Sequence, residues 1–226
     1  MIVLAVTHGP DVGPELFGDV ARELGHEVVE WNMLTQGRPP DTDAVLVFGG
    51  AQNVGEELEH PWLHEEYEAL RRWLERGTPL FAVCLGAQTL AHAAGGEVAK
   101  APQTYVGFVP AELSDAGADD PVLGVLPRQF AALNANAYHV FALPERAVSL
   151  ARSGDLEQAY RIGERAWAVQ FHPEARRDQV LRWFADDREL PRPLEQITDD
   201  VDAGIAEWQE HGRELATAFL RLASNN

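Results

Sequence analysis

The sequence predicts an α/β fold: a central, mostly parallel sheet flanked by helices, with an added partly antiparallel section and a C-terminal helix. Two observations carry that prediction. Up to about Val98, short apolar runs alternate with stretches of helical periodicity, the pattern that parallel strands joined by crossover helices leave in a chain. After it come shorter β-like pieces broken by Gly and Pro, as hairpin-joined strands would be.

Taken in order, Ile2–Val6 reads as a buried strand, followed by a Gly/Pro-punctuated loop from Thr7 to Pro14. Pro14 suits the first turn of a helix to Leu24, with Leu16, Val20 and Leu24 on one face and Gly25 as its stop. His26–Trp31 and Ala44–Phe48 are the next strands, the latter continuously apolar, as a strand covered on both faces should be. Pro61–Arg76 is a helix with Leu63, Tyr67, Leu70, Trp73 and Leu74 on a common face, stopped by Gly77. Thr78–Val83 is a strand and Gly86–Ala94 a helix. The later strands are Gly107–Leu113, Arg128–Leu133, Ala147–Ser153, Gln158–Ile162 and Ala166–Phe171. A helix over Gln179–Phe184, a polar connector Asp186–Asp200 and a helix near Val201–Leu222 complete the chain. Residues 1–185 form the expected domain, with 186–226 packed on it as connector and helix.

Composition narrows the function. The chain has 226 residues, 46% apolar and 24% charged, enough to bury a core. Its net charge of −18 opposes phosphate backbones and anionic lipid surfaces, so neither nucleic acid nor a membrane is expected as a partner. One cysteine, Cys84, excludes an intrachain disulfide and any multi-cysteine zinc site. No basic segment precedes Ile2–Val6 and no run reaches membrane-spanning length, so a cytoplasmic location is expected.

Three segments can carry chemistry. Cys84 lies at a strand-to-helix junction with Ala82 and Gly86 two residues to either side. Small neighbours let such a turn tighten into an elbow that presents the sulfur at a helix N-terminus, where the dipole favours thiolate. A lone cysteine is equally a small buried hydrophobe. The strand Ala166–Phe171 runs into His172-Pro173-Glu174, a base and a carboxylate joined by a stiff residue. His172 alone would read as a satisfied histidine. Gly49-Gly50 closes the Ala44–Phe48 strand and can aim backbone N–H groups into a cleft, or simply make a turn. His60, His64 and Glu65 imitate metal-ligand spacing, but the Pro61 helix start makes them a solvated helix end, and no metal is expected. Trp73, Trp183 and Trp208 occupy apolar helix positions and read as core, and the acidic final segment reads as a solvated helix face.

In this order the segments resemble the class I glutamine amidotransferases, in particular stand-alone proteins similar to the glutaminase domain of GMP synthase. The resemblance rests on Gly49-Gly50, Pro61-Trp62-Leu63, Cys84-Leu85-Gly86-Ala87-Gln88, Tyr138-His139 through Leu143-Pro144, and Phe171-His172-Pro173-Glu174. Ala82 stands where the family usually has glycine, Ala51 where it has proline, and Asn134–Pro144 is shorter than the common version. The resemblance implies Cys84 as nucleophile, His172 as general base and acid, and Glu174 as orienting carboxylate. It implies the N–H groups of Gly50 and Leu85 as an oxyanion hole, and Gln88, with Gly49, Tyr138 and His139, on the substrate side. No cofactor is implied. The expected substrate is L-glutamine or another γ-glutamyl amide. Ammonia would pass to a separate synthetase subunit, since the roughly 50 residues after Glu174 are too few for an attached one. A free-standing hydrolase and a non-enzymatic binding module on the same fold are the alternatives.

Overall fold

The computed structural model describes residues 1–185 and 190–225. Its chain order is β1 (Ile2–Thr7), α1 (Glu15–Glu23), β2 (Glu27–Asn32), α2 (Met33–Gln36), β3 (Ala44–Val47), α3 (Trp62–Arg76), β4 (Leu80–Val83), α4 (Leu85–Ala93) and β5 (Glu97–Leu113). There follow α5 (Asp115–Ala118), a 3₁₀ turn (Leu123–Val125), β6 (Gln129–Ala142), β7 (Ala147–Ser153), β8 (Leu156–Ile162), β9 (Ala166–Val169), α6 (Arg177–Ala185) and α7 (Leu194–Ser224). The strands form one nine-stranded sheet in the order β2-β1-β3-β4-β9-β8-β7-β5-β6. From β2 to β9 the pairings are parallel, and from β9 to β6 they are antiparallel. The expected α/β class, with its mostly parallel centre and antiparallel addition, is what the chain forms.

Helices cover both faces. Every residue of β3, β4 and β9 is buried, which explains their unbroken apolar sequences. One core layer lies under α3 and α4, built on Leu63, Leu70, Trp73 and Leu90 against Leu4, Val45 and Leu80. The other joins Phe17 and Val20 of α1 to Leu215 and Phe219 of α7 across Val3, Leu46, Phe81 and Trp167. The Leu63, Tyr67, Leu70 face of α3 is buried as its spacing requires, and Gly77 closes that helix in the left-handed conformation at φ 65°.

Three expectations need correction. The strand expected at Gly107–Leu113 begins ten residues earlier, at Glu97, and the one expected to end at Leu133 continues to Ala142. These extensions pair with each other through a register shift between Lys100 and Tyr105. Their polar residues interrupt the alternation that marks a strand in sequence, yet Asn134 and Asn136 are buried and bonded to one another, Nδ2 to Oδ1 at 3.1 Å. The final helix starts at Leu194 rather than Val201, because Ile197 extends the buried Val201, Ile205, Trp208 face by a turn. Of the connector expected over 186–200, residues 186–189 lie outside the described residues. The one-turn helices α2 and α5, too short to show periodicity, are capped by Asn32 and Ser114.

Candidate active site

Parallel strands deliver their following residues to one edge, and here four adjacent strands do so. β1 ends before His8, β3 before Phe48-Gly49-Gly50, β4 before Cys84, and β9 before Gln170-Phe171-His172. The β4–β9 register sets Val83 beside Val169, and the Cys84 N–H donates to the Val169 carbonyl at 2.8 Å. Cys84 and His172, distant in sequence, are therefore brought together by parallel pairing.

Cys84 sits between β4 and α4 with φ 53° and ψ −109°, a conformation unusual for any residue with a Cβ. Holding it there costs about 1–3 kcal/mol, which the surrounding packing must supply. Gly86 makes the turn possible, since a Cβ there would stand 2.5 Å from the Val47 carbonyl oxygen. Ala82 is fully buried in β4, so its methyl is accommodated beneath the turn.

His172 stands beside Cys84, both packed against Gly49, and its Nδ1 lies 2.9 Å from Glu174 Oε1 on the other side. Cys84, His172 and Glu174 are all buried. Burial opposes the imidazolium, but Glu174 and Cys84 outweigh it and push the His172 pKa up to about 10. The His172 carbonyl accepts from the Trp208 indole of α7 at 2.8 Å, which fixes the segment from behind.

Gly49 faces this pair: a Cβ there would meet His172 Cε1 at 3.0 Å and Cys84 Cβ at 3.6 Å. The Leu85 N–H is the first of α4 and has no partner within its helix. Gly50, Cys84, Leu85, Gln88, Tyr138 and His172 all line one cleft of about 760 Å³. Gln88 is held by Nε2 donation to the Tyr138 carbonyl at 2.8 Å. His139 is not among the lining residues. It is buried behind the cleft wall, its Nε2 3.0 Å from Nδ2 of the lining residue Asn136, and burial lowers its pKa to about 4.

Two cleft residues escape sequence reasoning. Trp183 packs at the edge of the core, as its helical position indicated, and is also a half-buried wall over the His172 ring at 4.7 Å, its indole donating to the Asp11 carbonyl at 2.9 Å. Periodicity cannot separate a core face from one that overhangs a cleft. His8 is buried beside Gly49 and reads in sequence only as part of a loop. Its signal was its place just past a parallel strand, the same as that of His172. Among the described residues no cluster of three His, Cys, Asp or Glu side chains could hold a metal ion, and no helix is long and apolar enough to cross a membrane.

This arrangement, a cysteine on a sharp strand-to-helix turn with a histidine–glutamate pair from the neighbouring strand, defines a class of α/β proteins that present a thiol at a sheet edge. The comparison with known families is specific: residues 19–182 match Glutamine amidotransferase class-I, and the chain belongs to that family. It is 32% identical over 148 residues to the GMP synthase (glutamine-hydrolyzing) of Aeropyrum pernix, which is 65% of this chain and 27% of that protein. The chain thus spans about a quarter of the length of the first curated relatives it matches. To a GMP synthase (glutamine-hydrolyzing) subunit of Thermoplasma volcanium it is 29% identical over 166 residues, 72% of this chain and 78% of that protein. A glutamine amidotransferase structure from Thermotoga maritima superposes with a TM-score of 0.85 at 20% identity, covering 100% of this chain and 99% of that one. At that identity the likeness is one of fold.

Proposed function

We propose that this protein hydrolyses the side-chain amide of L-glutamine, with Cys84 as nucleophile, His172 as proton carrier and Glu174 as its orienting partner. The observation that carries the reading is the buried cluster in which His172 stands beside Cys84 and is hydrogen-bonded to Glu174, with Cys84 and His172 lining the cleft. In this reading the Cys84 thiolate adds to the amide carbon, and the Gly50 and Leu85 N–H groups hold the oxygen as it becomes negative. His172 imidazolium gives its proton to the departing nitrogen, so that ammonia leaves and a γ-glutamyl thioester remains. The now neutral His172 takes a proton from water, whose oxygen attacks the thioester carbon. Collapse releases glutamate and returns the thiolate–imidazolium pair. Glu174 stabilises the imidazolium and keeps Nδ1 turned away from the reacting atoms.

The similarity to the Thermoplasma volcanium protein supports a separate synthetase as acceptor of the ammonia. The cleft favours a second reading. At about 760 Å³ it falls within the roughly 300–1,000 Å³ of sites for drug-sized ligands, ample for a γ-glutamyl amide bulkier than glutamine. Ammonia and glutamate release from L-glutamine by the purified protein tests the first reading, with Cys84→Ala as control. Turnover of an N-substituted γ-glutamyl amide with none of glutamine favours the second.

A further inference from the structure

We infer that His8, paired with Glu66, is a positioning residue that aims the Gly50 N–H at the reacting carbonyl by holding the other end of the same peptide group. The inference rests on the proposed acyl transfer at Cys84. His8 Nδ1 lies 2.9 Å from the Gly49 carbonyl oxygen and Nε2 lies 2.5 Å from Glu66 Oε2. A carbonyl can only accept, so Nδ1 carries the proton. The Gly49 carbonyl and the Gly50 N–H belong to one peptide, and in a planar trans peptide they point in opposite directions. No peptide among the described residues is cis. With its carbonyl anchored on His8, this peptide turns its N–H away from the His8 ring, while Gly49 itself stands against Cys84 and His172. Glycine on both sides gives the peptide freedom to turn over unless something holds it.

The hold is built as a buried network. Glu66 Oε1 accepts from the Thr89 hydroxyl at 2.6 Å, and Thr89 also reaches the Gly86 carbonyl at 3.1 Å. Thr89 lies on α4, the helix whose first N–H is that of Leu85. One chain of hydrogen bonds therefore ties together the two segments that bear the proposed oxyanion donors. His8 and Glu66 are 2% and 1% exposed, and Trp62 stacks on the His8 ring at 5.2 Å. Burial opposes charge on His8, yet Glu66 and the Gly49 and Phe48 carbonyls raise its pKa overall.

The test compares two reactions of Cys84 in the full chain. Acylation by p-nitrophenyl acetate passes through an oxyanion; alkylation by iodoacetamide displaces iodide and forms none. His8→Phe keeps a ring against Trp62 and removes both donors, whereas His8→Asn keeps an N–H near the Nδ1 position. Relative to wild type, His8→Phe is expected to slow acylation by about 10- to 100-fold, less than the roughly 100- to 1,000-fold for losing an oxyanion donor outright, because the donor stays and only its aim is loosened. Its iodoacetamide rate should stay within about twofold, since only the oxyanion step is touched. His8→Asn should recover most of the acylation rate. His8→Ala replaces the phenyl variant if thermal unfolding shows that variant unfolded. Equal slowing of both reactions, no slowing of acylation, or no recovery in His8→Asn overturns the inference. The ester needs no glutamine site, so wild-type acylation without glutaminase activity would count against the substrate reading alone. Absence of Cys84-dependent acylation in the wild type would overturn both.

Discussion

His172 is the residue on which the electrostatics of the site converge. With its pKa raised to about 10, its pairing stabilises the folded state fully below the unfolded value of 6.5 and is lost as pH rises through about 10. Glu174→Gln removes the strongest partner, so the stability gap between this variant and the wild type should be widest near pH 6 and narrow as pH rises toward 10. Thermal unfolding followed at several pH values checks this, and a gap that stays constant contradicts it. The same substitution should lower the rate of amide hydrolysis by about 100-fold or more, in line with the loss of a positioned proton carrier. Gly86→Ala acts differently. Its new methyl would meet the Val47 carbonyl, so urea unfolding should show a loss of about 1–3 kcal/mol. Cys84, His172, Glu174 and Gly50 were legible in the sequence because each follows a recognisable strand with a chemically distinctive residue. His8 and Trp183 were not, because a histidine in a Gly/Pro loop and a tryptophan at a helical apolar position have ordinary structural explanations.

At the scale of elements, the C-terminal helix matters more than its acidic surface indicated. Trp208 of α7 donates to the His172 carbonyl, and Gly212 lies so close that a Cβ there would overlap the Pro173 oxygen. The helix is thus a backstop for the His172-Pro173-Glu174 segment as well as a cover for the sheet. Trp208→Phe leaves that carbonyl buried and unpaired, which should cost about 1–3 kcal/mol. On the proposed mechanism it should also lower kcat with little change in KM, because the tether acts on the proposed proton carrier and not on the substrate. Steady-state kinetics beside urea unfolding separates the two effects. The apolar spacing of α7 was readable from Val201 onward, and its first turn was hidden among acidic residues. β5 and β6 were half legible for a related reason. Their extensions alternate weakly, and Asn134 and Asn136 interrupt the pattern in sequence, although their buried amides are hydrogen-bonded to each other.

Over the whole molecule, strand–helix alternation was enough to establish the sheet and its parallel half, and the order of the strands explains the site. Because β1, β3, β4 and β9 are neighbours, four separate stretches of sequence meet along one edge. Pairwise register is not written in any single segment, so Cys84 and His172 could be joined in sequence only through resemblance. The net charge of −18 is a global property with its own consequence. Self-repulsion weakens as salt screens it, so the unfolding midpoint should rise between low and moderate NaCl at neutral pH. A fall would mean that local ion pairs such as Arg161–Asp120 outweigh the field.

The sharpest probe of the site is the intact mass of the protein after incubation with a glutamine-like diazo-ketone, with free L-glutamine as competitor and Cys84→Ala as control. A thiol activated by His172 in a glutamine-shaped cleft should give a single adduct on Cys84 that L-glutamine prevents and that the control lacks. A folded protein that takes up no label at Cys84, or labels there without regard to glutamine, contradicts such a site.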